Sequence, residues 1–323
     1  MKIDFHCHAF PDGLFEALKR HYPEMLELKR DAQGKLYAIW GDTPLPVWDH
    51  DTRLEDIERA GIDTGILSAP PIYSRIDEHT PGLCRFVNDA IADSCRRDPA
   101  RFKAFAHLPF TSMDDALREM ARALDELGFV GVLVTSNIAG RYLHTPDFYP
   151  FWEEVNRRHA TVFMHPANSP CYRDDEPATL LSFPFDTTLS AHKLVHAGLF
   201  DRFPDVVLVL AHLGGTLPYL ARRIDLSYDA AGFFAGDRKP PRRPSEDMRK
   251  LYVDTALGWN RGAFECAREL VGIDHIVFGT DYFIRGSRFM EWTSDFIDGL
   301  GLKPVEREMI YEKTAARILK LNG

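Results

Sequence analysis

The sequence predicts an α/β protein folded as one (β/α)8 barrel. Short apolar runs recur along the chain, each followed by a helical pattern: Lys2–His6, Thr64–Ala69, Phe102–Leu108, Val130–Val134, Thr161–His165, Val206–His212, Lys250–Asp254 and His275–Gly279. Strands alternating with helices imply a parallel sheet with right-handed crossovers. Eight of them imply a closed barrel rather than an open sheet. The length agrees: 323 residues is comfortable for a barrel of roughly 250, though two domains of ~150 would also fit. Hydrophobic residues are 45% and charged residues 27%, a globular balance that excludes disordered, collagenous and coiled-coil classes.

The first run opens the chain and leads directly into His6 and His8. The interval from Phe10 to Asp51 is too long for a simple connection. It holds Pro11, Pro23, Pro44 and Pro46, a turn at Asp31–Gly34 and a strand-like Lys35–Trp40. It reads as an insertion at about residues 10–51, lying over the barrel mouth and carrying a small hairpin. Between the third and fourth runs, Asp114–Gly128 places Ala116, Leu117, Met120, Ala121, Leu124 and Leu127 on one face at the helical period. Ser112, followed by Asp114 and Asp115, suits its N-terminus, and Gly128 its end. Gly232–Ser245 interleaves Arg238, Lys239, Arg242 and Arg243 with Pro240, Pro241 and Pro244. Prolines preclude a regular basic helix there, so the segment reads as a solvated loop. With no repeat and no low-complexity tract, residues 1–323 are expected to form a single domain.

Charge and cysteine usage narrow the partners. Lys and Arg number 39 against 48 Asp and Glu, a net charge of −9. An acidic chain gains no counterion-release affinity from phosphates, so no nucleic-acid partner is expected. No stretch of ~18 apolar residues is present, so no membrane span is expected. The start, MKIDFHCHAF, lacks the apolar run of a signal peptide. The five cysteines (Cys7, Cys84, Cys95, Cys171, Cys266) are odd in number and scattered, unlike a disulfide framework. A cytoplasmic location follows as the expectation.

The chemistry gathers at the ends of the runs. Side chains alternate along a strand, so His6 and His8 should share one face while Phe5 and Cys7 take the other. Two imidazoles so spaced can reach one ion. The fifth run ends in His165-Pro166, the sixth in Ala211-His212-Leu213-Gly214-Gly215, and the eighth in Gly279-Thr280-Asp281. The C-terminal ends of barrel strands converge, which would bring these residues to His6 and His8. Imidazole with carboxylate suits zinc, with manganese or iron as further possibilities.

These motifs resemble the amidohydrolase superfamily, and more narrowly its aminocarboxymuconate semialdehyde decarboxylase-like branch. The similarity runs from Lys2 to about Leu321. It includes Asp49-His50-Asp51-Thr52-Arg53 and the Gly214–Asp225 segment, while Phe183–Thr188 resembles the salicylate-type decarboxylases of that branch. The resemblance implies a distorted TIM barrel with one divalent metal ion, most readily Zn2+ with Mn2+ possible. Its ligands would be His6, His8, His165 and Asp281. It implies that His212 bonds the metal water as acid/base, so that His212 and Asp281 are the catalytic candidates. Arg53 matches an arginine that binds a substrate carboxylate. Arg223 matches one that reaches the neighbouring subunit's site, which implies a homodimer. Two departures stand out. The fourth run ends Thr135-Ser136-Asn137, without the lysine that bridges two metals in many superfamily hydrolases, so one metal is expected. The loop Tyr282-Phe283-Ile284-Arg285-Gly286 lacks the second proline-aromatic pattern of the semialdehyde decarboxylase itself.

Other residues read more plainly. His192 and His196 have i,i+4 spacing, but no Glu follows His192, so an ordinary helix is expected. His107 closes the third run without a metal role. Cys7 reads as a small core residue, and Asp4 as a buried hydrogen-bonding carboxylate on the His6 face. Trp48, Trp259 and Phe183 are candidate pocket walls, and Asn137 a candidate hydrogen-bonding partner of the substrate. One metal and one flanking histidine serve two chemistries. The first is non-oxidative decarboxylation of a small unsaturated or phenolic carboxylic acid. The alternative is hydrolysis, lactone opening or hydration of a related small carboxylate, with His212 as base. Branch resemblance, Arg53 and the missing lysine favour decarboxylation over these and over a non-catalytic metal-binding barrel.

Overall fold

A computed structural model describes residues 1–32, 34–40, 43–46, 50–70, 76–167, 180–234, 239–283 and 288–321. Eleven strands are present among them: β1 (Ile3–His8), β2 (Glu27–Arg30), β3 (Leu36–Trp40), β4 (Thr43–Pro46), β5 (Thr64–Ser68), β6 (Phe102–His107), β7 (Gly131–Thr135), β8 (Thr161–His165), β9 (Val207–Leu210), β10 (Tyr252–Asp254) and β11 (Ile276–Val277). Eight form one parallel sheet in the order β1-β5-β6-β7-β8-β9-β10-β11. The remaining seam is bridged by the chain just beyond β11. Phe5 N–H donates to Phe278 O at 2.8 Å, Asp281 N–H to His6 O at 2.8 Å and His8 N–H to Tyr282 O at 3.1 Å. The closed TIM barrel that the alternation predicts is therefore present.

Alternate side chains along the strands divide into two buried clusters. Ile3, Phe5, Ile66, Phe105, Leu133, Phe163, Val209 and Val277 fill the barrel interior, with Ala315, Ala316, Ile318 and Leu319 of the C-terminal segment packed on them. Cys7, Leu67, Ala104, Val132, Val162, Met164 and Leu208 join the layer between barrel and helices. One expectation fails here. Phe5 does not share the outward face of Cys7, because the β1–β5 register shifts between Asp4 and Cys7. That irregularity breaks strict alternation. It lets Phe5 meet Phe105 (5.0 Å between centroids) and Phe163 (5.3 Å) inside the barrel, while His6 also reaches Phe163 (4.8 Å).

The helix in the third crossover begins at Met113, where Ser112 Oγ accepts from the Asp115 N–H at 3.1 Å. The described part of residues 10–51 holds more regular structure than its prolines suggest. A helix, Leu14–His21, precedes a three-stranded antiparallel sheet, β2-β3-β4, where a hairpin was expected. Leu14, Phe15, Leu18, Ala38 and Leu45 join the same buried cluster as the outer face of the barrel. In the basic stretch, Arg242 pairs with Asp247 and Asp201, Arg243 pairs with Asp229, and Lys239 lies over the Tyr228 ring. Trp48, Asp49, Cys171, Arg238 and Ile284-Arg285-Gly286 lie outside the described residues.

Candidate active site

The barrel seam sets the site. The bond from Asp281 N–H to His6 O places the Asp281 carboxylate beside the β1 histidines. Asp4 fixes the preceding residue, accepting from Thr280 N–H at 3.0 Å and Thr280 Oγ1 at 2.6 Å. Asp281 Oδ1 then lies 3.2 Å from His6 Nε2 and 3.0 Å from His8 Nε2, and its Oδ2 lies 3.3 Å from His212 Nε2. From β8, the His165 ring stands 5.1 Å from His6, 5.0 Å from His8 and 5.6 Å from His212 between centroids. Ligand atoms of His6, His165, His212 and Asp281 all fall within 4.8 Å of one another, and His8 touches both His6 and Asp281. The structure thus brings together all five residues expected at the strand ends.

Hydrogen bonds on the far side of each ring decide what the near side offers. His6 Nδ1 is 2.7 Å from Asp254 Oδ2, His165 Nδ1 is 2.8 Å from Pro166 O, and His8 Nδ1 is 3.4 Å from Ser68 O. A ring that donates through Nδ1 presents a lone pair at Nε2. His6 and His8 turn these nitrogens toward each other at 3.2 Å, beside a carboxylate oxygen. Two facing lone pairs and a carboxylate repel unless a cation lies among them, and nitrogen with oxygen donors fits a divalent transition ion. Burial opposes charge on His6, but the flanking Asp281 and Asp254 carboxylates outweigh it and push its pKa up to about 10. Burial holds His8 down, and burial with three neighbouring imidazoles holds His165 well below the usual histidine range. Burial would raise Asp281, yet contact with His6, His212 and His8 keeps it well below the usual carboxylate range.

His212 stands apart from the other three imidazoles. It was expected at a strand end, but β9 stops at Leu210 and His212 begins a tight turn. His212, Leu213, Gly214 and Gly215 all have positive φ. The His212 N–H is tied to Asp254 Oδ1 at 2.8 Å. Gly215 (φ +65°) passes so close to the helix Ser182–His196 that a Cβ would stand 2.1 Å from Pro184 O. Gly215→Ala should therefore lower stability by about 2–4 kcal/mol in denaturant unfolding, from left-handed strain plus a backbone clash.

The other expected residues lie as follows. Arg53 is buried, donates Nη2 to His8 O at 2.6 Å and stacks over the Tyr282 ring at 4.3 Å; among the described residues its buried Nη1 meets no oxygen or nitrogen acceptor within hydrogen-bond distance. Asn137 was expected to serve substrate. Its Nδ2 donates to Asp186 Oδ2 at 2.8 Å, and its Oδ1 accepts the Gly140 N–H at 2.9 Å. Trp259 gives its indole N–H to Thr293 and packs on Phe289 and Trp292. Phe183 borders His165 edge-on at 6.2 Å. Arg223 is exposed on the helix Leu217–Ile224. His107 is buried and accepts the Ala69 N–H through Nε2; burial pushes its pKa down to about 3. Sequence reasoning missed Asp254, which orients His6 and tethers His212. Its position closing the seventh run was the available signal. It also missed Asp186.

Comparison with known proteins agrees with this geometry. The amidohydrolase family profile (Amidohydro_2) matches residues 3–321. A γ-resorcylate decarboxylase of Rhizobium radiobacter is 31% identical over 334 residues, spanning 95% of this chain and 98% of the relative. A 2-amino-3-carboxymuconate-6-semialdehyde decarboxylase of Dictyostelium discoideum is 28% identical over 300 residues, spanning 87% and 81%. The crystal structure of a dihydroxybenzoic acid decarboxylase from Polaromonas sp. JS666, with bound manganese and the inhibitor 2-nitroresorcinol, superposes with a TM-score of 0.78. It shares 25% identity, and the superposition covers 100% of this chain and 97% of that one. The chain belongs to the amidohydrolase family and, within it, to the branch of metal-dependent decarboxylases.

Proposed function

We propose that this carboxy-lyase removes CO2 from a small hydroxybenzoate-type acid. The observation that carries this reading is similarity over nearly the full chain to a γ-resorcylate decarboxylase, joined to a β7 end, Thr135-Ser136-Asn137, that offers no bridging lysine. His6, His8, His165 and Asp281 would hold one divalent ion, zinc in our reading with manganese the alternative. When bound, the ion supplies positive charge that holds substrate oxygens and stabilises charge developing on them.

The chain's own groups do the rest. His212 is the most open of the four imidazoles, with Asp281 Oδ2 at its Nε2. It carries the proton that is added to the ring carbon bearing the carboxylate. The bond between that carbon and the carboxylate then breaks, CO2 leaves, and the electron pair returns to the ring. One proton is consumed in each turnover. Asp281 orients His212 and balances its charge. The Nη1 of Arg53, which meets no oxygen or nitrogen acceptor among the described residues, is a donor suited to the substrate carboxylate. Phe163, packed with Phe5 and Phe105, gives the His6 side of the site an apolar floor. Incubation with a panel of hydroxybenzoates and muconate semialdehydes should release CO2 from at least one phenolic acid. Hydrolysis of lactones or esters with no CO2 from any acid would overturn the reading.

The unit we propose is a homodimer of single-domain chains, residues 1–323 with the insertion at 10–51 over the mouth, in the cytoplasm. All four described cysteines are unpaired, which suits a reducing compartment. No described helix is long and apolar enough to cross a membrane. Arg223 and Tyr219 lie four residues apart on one helical face, and Tyr219 is 80% exposed. An exposed aromatic beside a guanidinium with no ion pair among the described residues suits an interface through which Arg223 enters the partner's site. Inactive Arg223→Ala and inactive His212→Asn proteins, mixed and allowed to exchange subunits, should regain part of the activity. Exchange without recovery would place Arg223 outside the partner's site.

A further inference from the structure

Asp186 is wholly buried on the helix Ser182–His196 and has no ion pair among the described residues. Three side chains donate to it: Ser136 Oγ and Asn137 Nδ2 to Oδ2, the latter at 2.8 Å, and Tyr142 O–H to Oδ1 at 2.7 Å. A buried carboxylate with three neutral donors is costly unless every bond is made. Ser136 passes the constraint on. Its Oγ accepts the Ala167 N–H at 3.0 Å, and its own N–H donates to His165 O at 2.9 Å. His165 and its Pro166-Ala167 extension are thus held at both ends by one serine, whose hydroxyl proton is directed by Asp186. Without an acceptor at Asp186, the Ser136 hydroxyl is free to turn, and Ala167 loses its aligned lone pair. The same helix presses Pro184 and Thr188 against the turn carrying His212, with Thr188 Oγ1 accepting the Thr216 N–H at 2.8 Å.

We infer that Asp186, acting through Ser136, is a positioning residue that fixes the β8 end so that His165 presents its Nε2 to the ion. This rests on the reading of His165 as a ligand. Partners behind a metal ligand typically change ion affinity or activity by about 10–100-fold. The test uses full-length enzyme loaded with Mn2+ or Zn2+ and follows transfer of the ion to excess chelator. Ser136→Ala and Asp186→Asn should release it about 10–100-fold faster. At saturating ion they should lower kcat with KM unchanged. Tyr142→Phe removes a bond to the same carboxylate but none from the Ser136–His165 path. It should lower thermal stability and release the ion no faster than the unaltered enzyme.

If Asp186→Asn does not fold, Ser136→Ala carries the test. Release from Ser136→Ala at the unaltered rate overturns the inference, as does equal acceleration by Tyr142→Phe. Unaltered enzyme that takes up no ion overturns the metal reading itself, a separate result from either.

Discussion

His6→Ala protein, purified without added metal, should carry almost no ion where the unaltered chain carries about one equivalent, and its decarboxylase activity should disappear with it. The substitution removes the donor at the centre of the cluster, since His6 Nε2 faces both His8 Nε2 and Asp281 Oδ1. It also strips Asp254 of its imidazole partner, while that carboxylate keeps the N–H groups of His212 and Ala256. A site that loses an inner donor and the hydrogen bond orienting it no longer competes with water for the ion. His165→Ala and Asp281→Ala should lower metal content in the same direction. Elemental analysis reads the result. Two tightly held ions per unaltered chain would refute the mononuclear site, and full retention of one ion by His6→Ala would remove His6 from the ligand set. Acid should act like the substitution. Ligand imidazoles bind metal only when neutral, so the ion should be released as pH falls and taken up again as it rises.

The strand ends were legible because two rules meet there: apolar runs mark the strands, and a barrel brings their C-terminal ends together. His6, His165 and His212 close such runs, and His8 and Asp281 each stand two residues beyond one. What was not legible depends on contacts far apart in sequence. Nothing local distinguishes the Phe5 side of β1 from the Cys7 side once the register with β5 shifts. Prolines at 11 and 23 read as irregular chain, yet they bracket an eight-residue helix whose Leu14, Phe15 and Leu18 are buried by the rest of the fold. Asn137 reads as a candidate substrate partner, and the sequence around it does not announce Asp186, which the helix Ser182–His196 brings to it across about fifty positions. Asp254 ends a run as the other site residues do, but its work is behind His6 rather than in front of it, which only the assembled barrel reveals. Arg53 shows both sides: its residue type points to carboxylate binding, while its bond to His8 O also makes it a brace for β1.

His212→Asn should keep the ion and lose about 10²–10⁴ in activity, the range of a positioned acid/base. The outcome is not trivial, because His212 lies within the same donor cluster as His6, His165 and Asp281. Two observations separate it from them. Its Nε2 meets Asp281 through Oδ2, while His6 and His8 meet Oδ1. Its ring is carried on a turn after β9, where that of His165 rides on β8 itself. Asparagine tolerates the left-handed backbone found at this position (φ 57°), and its amide can still donate toward Asp281, but it cannot bind and release a proton near neutral pH. Metal content and activity should therefore part company in this variant, whereas they fall together in His6→Ala. Loss of the ion from His212→Asn as complete as that from His6→Ala would make His212 a ligand and return the proton to another group in the site.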